Sequence, residues 1–204
     1  MELEKLYFYT LLSEKSQQLI QENMRPFKKQ KNDILYYAGD VCQDFVIIDY
    51  GSIKVYVQGE SAEQTYTLYT VEDGEPCIIN TFSTIFSNVT AANAEVIRDL
   101  KGWMLNKDIL LQLLRDEPIF SAYLFDTVSQ NIAALVNTIK DVKFTTLGER
   151  LENWVSSKNK KTIYVTHEEI ASHLGTSRPI ISKLLKDLEK EKKIILKRGS
   201  IEVI

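Results

Sequence analysis

Apolar positions recur at helical spacing over residues 6–23, and Pro26 is expected to end that segment before the basic run "KKQK". Between Ile34 and Ile79 the pattern changes. The stretch "FVIIDYGSIKVYVQGESAEQTYTLYTVEDGEPCII" is rich in Val, Ile, Tyr and Thr and is broken by Gly51, Gly59 and Gly74. Short β-rich runs between turn glycines predict an antiparallel sheet, a sandwich or a small barrel. A further strand is expected at "AEVIRDLKGWML".

From about Asp108 to Lys143 glycine is absent and Pro118 is the only proline, which predicts helix. Leu124, Val128, Asn131, Leu135, Thr138 and Val142 are spaced 4, 3, 4, 3 and 4, a heptad seam. An amphipathic helix packed on its own domain explains the spacing as well as a dimer does. Asn131 and Thr138 favour the dimer, because a buried polar group on a seam specifies register at a cost in stability.

The last 60 or so residues return to mixed structure. "TLGERLENWVSS" and "THEEIASHL" each open with a capping box, Thr146-x-x-Glu149 and Thr166-x-x-Glu169. Gly175 is expected to break the second of these helices, with Thr176-Ser177 capping the next. Pro179 is tolerable only in the first turn, where its missing N–H loses no bond. "IILKRGSIEVI" predicts two short strands turning at Arg198-Gly199-Ser200.

Helix, glycine turn, helix and hairpin is the outline of a winged helix-turn-helix. In its second helix Ile181, Leu184, Leu185 and Leu188 should bury against Ile170 and Leu174. The opposite face holds Arg178, Ser182, Lys183 and Lys186. There Arg178 suits bidentate bonding to guanine, Ser182 and Lys183 suit the next bases, and Lys186 suits a phosphate. In the wing, Lys197 and Arg198 suit further phosphates. A solvated basic face is the alternative, and the agreement of turn, cap, core spacing and hairpin argues against it.

Charge sharpens this picture. The net charge is −3, yet residues 144–204 carry 12 Lys+Arg against 8 Asp+Glu while residues 1–143 carry 13 against 20. An acidic module is thus joined to a modestly basic one. The N-terminus does not read as a secretory peptide, and no unbroken apolar run approaches bilayer length, so a cytoplasmic setting without a membrane partner is expected. Two cysteines, Cys42 and Cys77, are too few for a disulfide scaffold or a four-thiolate site. No metal site, Ser-His-Asp arrangement or glycine-rich phosphate loop stands out, which disfavours an enzyme.

"THEEIASHLGTSRPIISKLLKDLEKEKKII" resembles, without a gap, the DNA-binding segment of the Crp/Fnr transcription regulators. "AGDVCQDFVIIDYGSIKVYV", with Gly39-Asp40 and Gly51 at its turns, is similar to the N-terminal β-roll of that family, and "DGEPCII" supplies the glycine-glutamate that follows. The resemblance implies an α+β fold: a β-roll sensor (cyclic-nucleotide-binding-like jelly roll) over 1–107, a long dimerisation helix over 108–143, and a winged helix-turn-helix over 144–204. It also implies a homodimer on double-stranded DNA, working with RNA polymerase. The family's base-reading positions fall on Arg178, Pro179, Ser182 and Lys183, with Thr176 and Ser177 leading into them. Pro179 departs from the pattern, since many members place a glutamate there to accept from cytosine.

Cyclic-AMP-binding members use a glutamate for the ribose and an arginine for the cyclic phosphate. Here no arginine follows "GEPC" before Arg98, and a buried phosphate without a cation is uncompensated. Haem would want a ligand, and both histidines lie in the helix-turn-helix: His167 is expected to face solvent and His173 to pack at the helix surface. Cys42 and Cys77 form a redox pair only if the fold joins them. The apolar residues Ile78, Ile79, Phe82 and Val89, with Leu124 and Val128 of the long helix, either line a pocket for an unidentified effector or fill core. A regulator that needs no effector, and a receptor whose helix-turn-helix docks a protein, both stay open.

Overall fold

The computed structural model describes residues 3, 6, 8–59 and 65–204, apart from the side chains at 141 and 142. Two units pack separately: Met1–Val57 with Leu68–Ala134, and Gln58–Thr67 with Leu135–Ile204.

Ser13 divides the N-terminal apolar segment. Its backbone is extended and its hydroxyl accepts from the Ser16 amide, so helix α1 runs only over Glu14–Asn23. Leu6, Phe8, Tyr9 and Leu12 precede it in bends and a 3-10 turn (Tyr9–Leu11), yet they are buried in the same core. Helical spacing there reflects burial of an irregular segment rather than one helix. The helix does end before Pro26, as expected, and Pro26 itself lies in strand β1 (Arg25–Lys29), opposite Trp103. β1 ends the strand order, and an edge strand tolerates the missing donor.

The remaining strands are β2 (Ile34–Tyr36), β3 (Asp44–Gln58), β4 (Thr65–Val71) and β5 (Asn93–Asn106). They form one sheet in the order β1-β5-β3-β4, with β2 also on β5, and β1, β2 and β3 all run antiparallel to β5. β3 is buried on both faces. Phe45 and Ile47 join the cluster around Leu110, Leu113 and Phe120, while Ile48, Ile53 and Val55 join a second around Val71, Ala94 and Leu100. Gly51 turns inside β3 at φ +107°, and a Cβ there would lie 2.3 Å from the Asp99 carbonyl, so only glycine fits.

Between β4 and β5 lies α2 (Ile78–Phe86), which buries its polar side chains beside Ile78 and leaves its two phenylalanines outside. Asn80, Thr81, Ser83 and Thr84 are buried, whereas Phe86 is 61% exposed and stacks on Phe82 at 6.0 Å. The cause is unpaired backbone in and before β3. Asn80 accepts from the Val46 amide and donates to the Asp44 carbonyl, Thr84 donates to the same carbonyl, and Ser83 accepts from the Cys42 amide. A buried backbone group without a partner is costly enough to turn the polar side of the helix inward.

The helical stretch expected over 108–143 is two helices, α3 (Lys107–Asp116) and α4 (Pro118–Phe144). Pro118 cannot continue α3, so Glu117 adopts extended backbone and a new helix starts. Among the described residues α4 is the helix long and apolar enough to cross a membrane, with mean hydropathy 1.2 over Pro118–Lys140. Counting unbroken apolar runs misses it.

The second unit contains α5 (Leu147–Ser157), β6 (Thr162–Tyr164), α6 (His167–Leu174), α7 (Arg178–Lys190), β7 (Ile194–Lys197) and β8 (Ser200–Val203). β6, β8 and β7 form a small antiparallel sheet in that order; β6 has too little sequence pattern to be anticipated. The expected α+β order therefore stands: antiparallel sheet, long helix, then helix-turn-helix.

Candidate nucleic-acid interface

Both predicted capping boxes form. Thr146 and Glu149 exchange hydrogen bonds at the start of α5, as do Thr166 and Glu169 at the start of α6. Gly175 ends α6 in the left-handed region at φ +66°, its amide returning to the Ala171 carbonyl. Half-buried Thr176 and Ser177 then lead into α7. Ser177 occupies the cap position without a side-chain cap bond, and Pro179 sits in the first turn. The expected Ser177 cap is thus a backbone cap, its carbonyl accepting from Ile180 and Ile181.

α7 divides by face. Ile181, Leu185 and Leu188 are buried with Ile170, Leu174, Leu151 and Ile201, and Leu184 is partly buried beside them. Arg178, Lys183 and Lys186 are exposed on the other side, and among the described residues none has an acidic partner. Later cations differ: Lys190 pairs with Asp187, and Lys193 with Glu152 and Glu191. The uncompensated positive charge thus lies toward the N-terminal part of α7.

The wing adds to it. A cleft of about 590 Å³ is lined by Thr166 to Glu168 of α6, by Arg178, and by Lys197 to Ile201 of the β7–β8 hairpin. Arg178, Lys197 and Arg198 therefore share one concave surface. Lys197 is 2.5 Å from Glu202, which holds that carboxyl below the usual range, so Lys197 is a partly neutralised cation, while Arg198 has no acidic partner among the described residues.

His167 is not solvent-facing as expected. It is half-buried, with Nδ1 2.8 Å from the Ser182 hydroxyl, and burial followed by the Arg178 charge lowers its pKa from the ordinary histidine value. Ser182 is half-buried beneath this contact. Sequence spacing gave no sign of it, because the pair lies 15 residues apart across the turn.

Residues 145–204 match the family described as the Crp-like helix-turn-helix domain. The chain as a whole is similar to solved structures of the Crp/Fnr fold. One is a Eubacterium rectale protein assigned to the Crp/Fnr family of transcriptional regulators, at 20% identity and TM-score 0.82, covering 98% of this chain and 94% of that one. Another is the c-di-GMP responsive global regulator CLP of Xanthomonas campestris, at 14% identity and TM-score 0.82, covering 94% and 99%. A third is a mutant of CooA from Carboxydothermus hydrogenoformans, at 20% identity and TM-score 0.73, covering 97% and 90%. At these identities the likeness is one of fold. No curated protein matches the chain in sequence.

In this Crp/Fnr fold the residues expected to line an effector pocket do not converge. Ile78 is buried, Phe82 and Val89 are exposed, and Ile79 belongs to the cluster around Ile48. Leu124, 5% exposed, belongs to the other cluster, with Val128 half-buried one turn later. The polar side chains that α2 buries leave Phe82 on the outside. The inside of the sheet is filled instead by Tyr36, Cys77 and apolar side chains, with Tyr36 Oη 3.1 Å from Cys77 Sγ. Cys42 packs against this cluster, so the fold does bring the two cysteines into one region. Burial pushes the Cys77 thiol up, which disfavours the reactive thiolate.

An open cleft of about 570 Å³ lies elsewhere in the first unit, lined by Asp73, Glu75, Tyr123, Asp126, Thr127 and Gln130 among others. No lysine or arginine lines it. Arg98 is held by Glu72 and Asp73 at 3.3 and 2.8 Å. Burial, then the nearby Glu75, pushes the Tyr123 hydroxyl up to about 12, so it stays a donor.

The seam residues also separate. Leu124 is taken by the chain's own core beside Phe120, one turn earlier on α4. Asn131 is half-buried and donates to the Thr127 carbonyl of its own helix, and Thr138 and Leu135 are half-buried. Val142 lies outside the described residues as a side chain. The exposed apolar row is Phe125 at 72%, Ile132 at 55% and Ile139 at 64%, recurring every seven residues.

Proposed function

We propose that this protein is a sequence-specific, DNA-binding transcription regulator of the Crp/Fnr type, acting in the cytoplasm as a homodimer on a two-fold symmetric operator and working with RNA polymerase. The observation that carries the reading is the row Arg178, Lys183 and Lys186, without an acidic partner among the described residues, on the outward face of a helix whose inward face is core. In a major groove Arg178 bonds a guanine edge, Ser182 and Lys183 reach the following bases, and Lys186 meets a phosphate. Arg198, with Lys197 once Glu202 releases it, takes the flanking phosphate in the wing cleft.

Dimerisation supplies the second half-site. Phe125, Ile132 and Ile139, with Val128 and Leu135 between them at spacings of 3 and 4, make a heptad row that a second copy covers. That occupant also explains the apolarity of α4 better than a bilayer does, because Asp126, Gln130 and Asn137 share the helix and would face lipid. Two such helices hold the recognition helices about 34 Å apart, one turn of DNA.

Operator selection from a random duplex library tests the reading. The expected result is one two-fold symmetric motif, bound with a slope of about −5 in log K against log salt if Lys186, Lys197 and Arg198 of both protomers each neutralise a phosphate. Recovery of no common motif at any salt overturns it and favours a helix-turn-helix that docks protein.

Effector chemistry does not follow from the fold: one structural neighbour is the c-di-GMP responsive regulator CLP and another is the CO-dependent transcription factor CooA. In this chain the open cleft bearing Asp73, Glu75 and Asp126 repels an anion, and the interior of the sheet is filled. Millimolar cyclic AMP is therefore expected to leave the thermal unfolding midpoint unchanged; an upward shift of several degrees contradicts this. An unidentified effector other than cyclic AMP, or none, fits both features.

A further inference from the structure

The His167–Ser182 hydrogen bond lies where the proposed base contact is made, and it joins the first residue of α6 to the second turn of α7. A serine hydroxyl has one proton to give and lone pairs to offer, whereas each imidazole nitrogen is either a donor or an acceptor. When Nδ1 carries no proton it accepts the Ser182 proton, and Oγ can only accept from DNA. When Nδ1 is protonated it donates to Oγ, and the Ser182 proton is released toward DNA.

We propose that His167 is a specificity-determining residue: it sets the hydrogen-bond polarity of Ser182, and the setting reverses with pH. The inference rests on the DNA-binding reading above and deepens it. In the neutral ring the intrinsically favoured tautomer carries its proton on Nε2, so Nδ1 accepts and Ser182 accepts from the amino group of cytosine or adenine. The imidazolium has protons on both nitrogens, so Ser182 donates to guanine O6 or N7 or to thymine O4. Cytosine against guanine is the sharpest contrast, since the major-groove edge of one only donates and that of the other only accepts.

The charged groups around the ring are Arg178 from α7, Lys197 and Arg198 from the hairpin, and Glu168 from its own helix, all lining one cleft. Lys197 is already paired with Glu202, and burial and Arg178 favour the neutral ring in the free protein. DNA phosphates in the cleft offset these cations and stabilise the imidazolium. Binding to a guanine-bearing site therefore takes up a proton, and binding to a cytosine-bearing site does not.

The test uses the full-length protein and a selected operator carrying each base pair at the position nearest Ser182, with affinities measured from about pH 8 to about pH 5. The expected result is a change of about tenfold in the cytosine-to-guanine preference, toward guanine as pH falls, which is the size of one good base contact. His167→Gln, which does not titrate, should hold one preference at every pH, and Ser182→Ala should lose preference at that position alone. Nitrogen NMR of the imidazole in DNA-free wild-type protein should show Nδ1 unprotonated at high pH, a readout that needs no variant. A wild-type preference that does not move with pH, or a neutral ring protonated on Nδ1, overturns the inference while leaving the DNA-binding reading in place. Failure of the wild type to select any sequence removes both.

Discussion

Replacing Arg178 with alanine is expected to weaken binding to the selected operator about ten- to a hundredfold, and to weaken binding to random DNA much less. The side chain is exposed, has no acidic partner among the described residues, and stands in the first turn of α7, where a recognition helix reaches base edges. Lys186→Ala should behave differently. A phosphate contact carries no sequence information, so its loss weakens both kinds of DNA alike and lowers the salt slope by about one per protomer. Mobility shifts with operator and random duplex, at two salt concentrations, separate the roles. Equal losses on both DNAs for Arg178→Ala would place its guanidinium on a phosphate. Removing Arg178 also takes away a charge that holds His167 neutral, so the ring should protonate more readily in this variant. Arg178→Ala and Ser182→Ala are therefore expected to be non-additive.

The helix-turn-helix was legible because its signals are local. Two capping boxes, a glycine in the left-handed region, a proline confined to a first turn and an Arg-Gly-Ser hairpin each act over about four residues, and each appears where the sequence puts it. What escaped was set by contacts between distant segments. α2 turns polar side chains inward because Asp44 and Val46 need partners 34 to 40 residues away, and apolar content alone cannot reveal that demand. The same holds for His167 and Ser182, which meet only once α6 and α7 have packed. Pro26 follows the helix end at Asn23 as expected, but the edge strand that takes it up depends on strand order, which is a tertiary property.

α4 shows the same dependence on distant packing, and it gives the second large prediction. Two heptad rows run along the helix, one through Leu124, Asn131 and Thr138 and one through Phe125, Ile132 and Ile139, and Val128 and Leu135 serve both. Spacing cannot choose between them. Packing does, because Phe120 and Leu124 lie one turn apart on the face taken by the protomer's own core, which turns Phe125 outward. Ile132→Asp is accordingly expected to leave a folded protein that sediments as a monomer, because two carboxylates would be buried facing each other across the seam. Loss of the paired half-sites should then lower operator affinity by about a hundredfold or more. Leu124→Ala should instead cost about 2–5 kcal/mol of unfolding free energy with the dimer mass retained. Leu135→Asp cannot discriminate, since its position belongs to both rows. An Ile132→Asp protein that still sediments as a dimer would put the interface on another face of α4, and the spacing of the recognition helices would then need a different support.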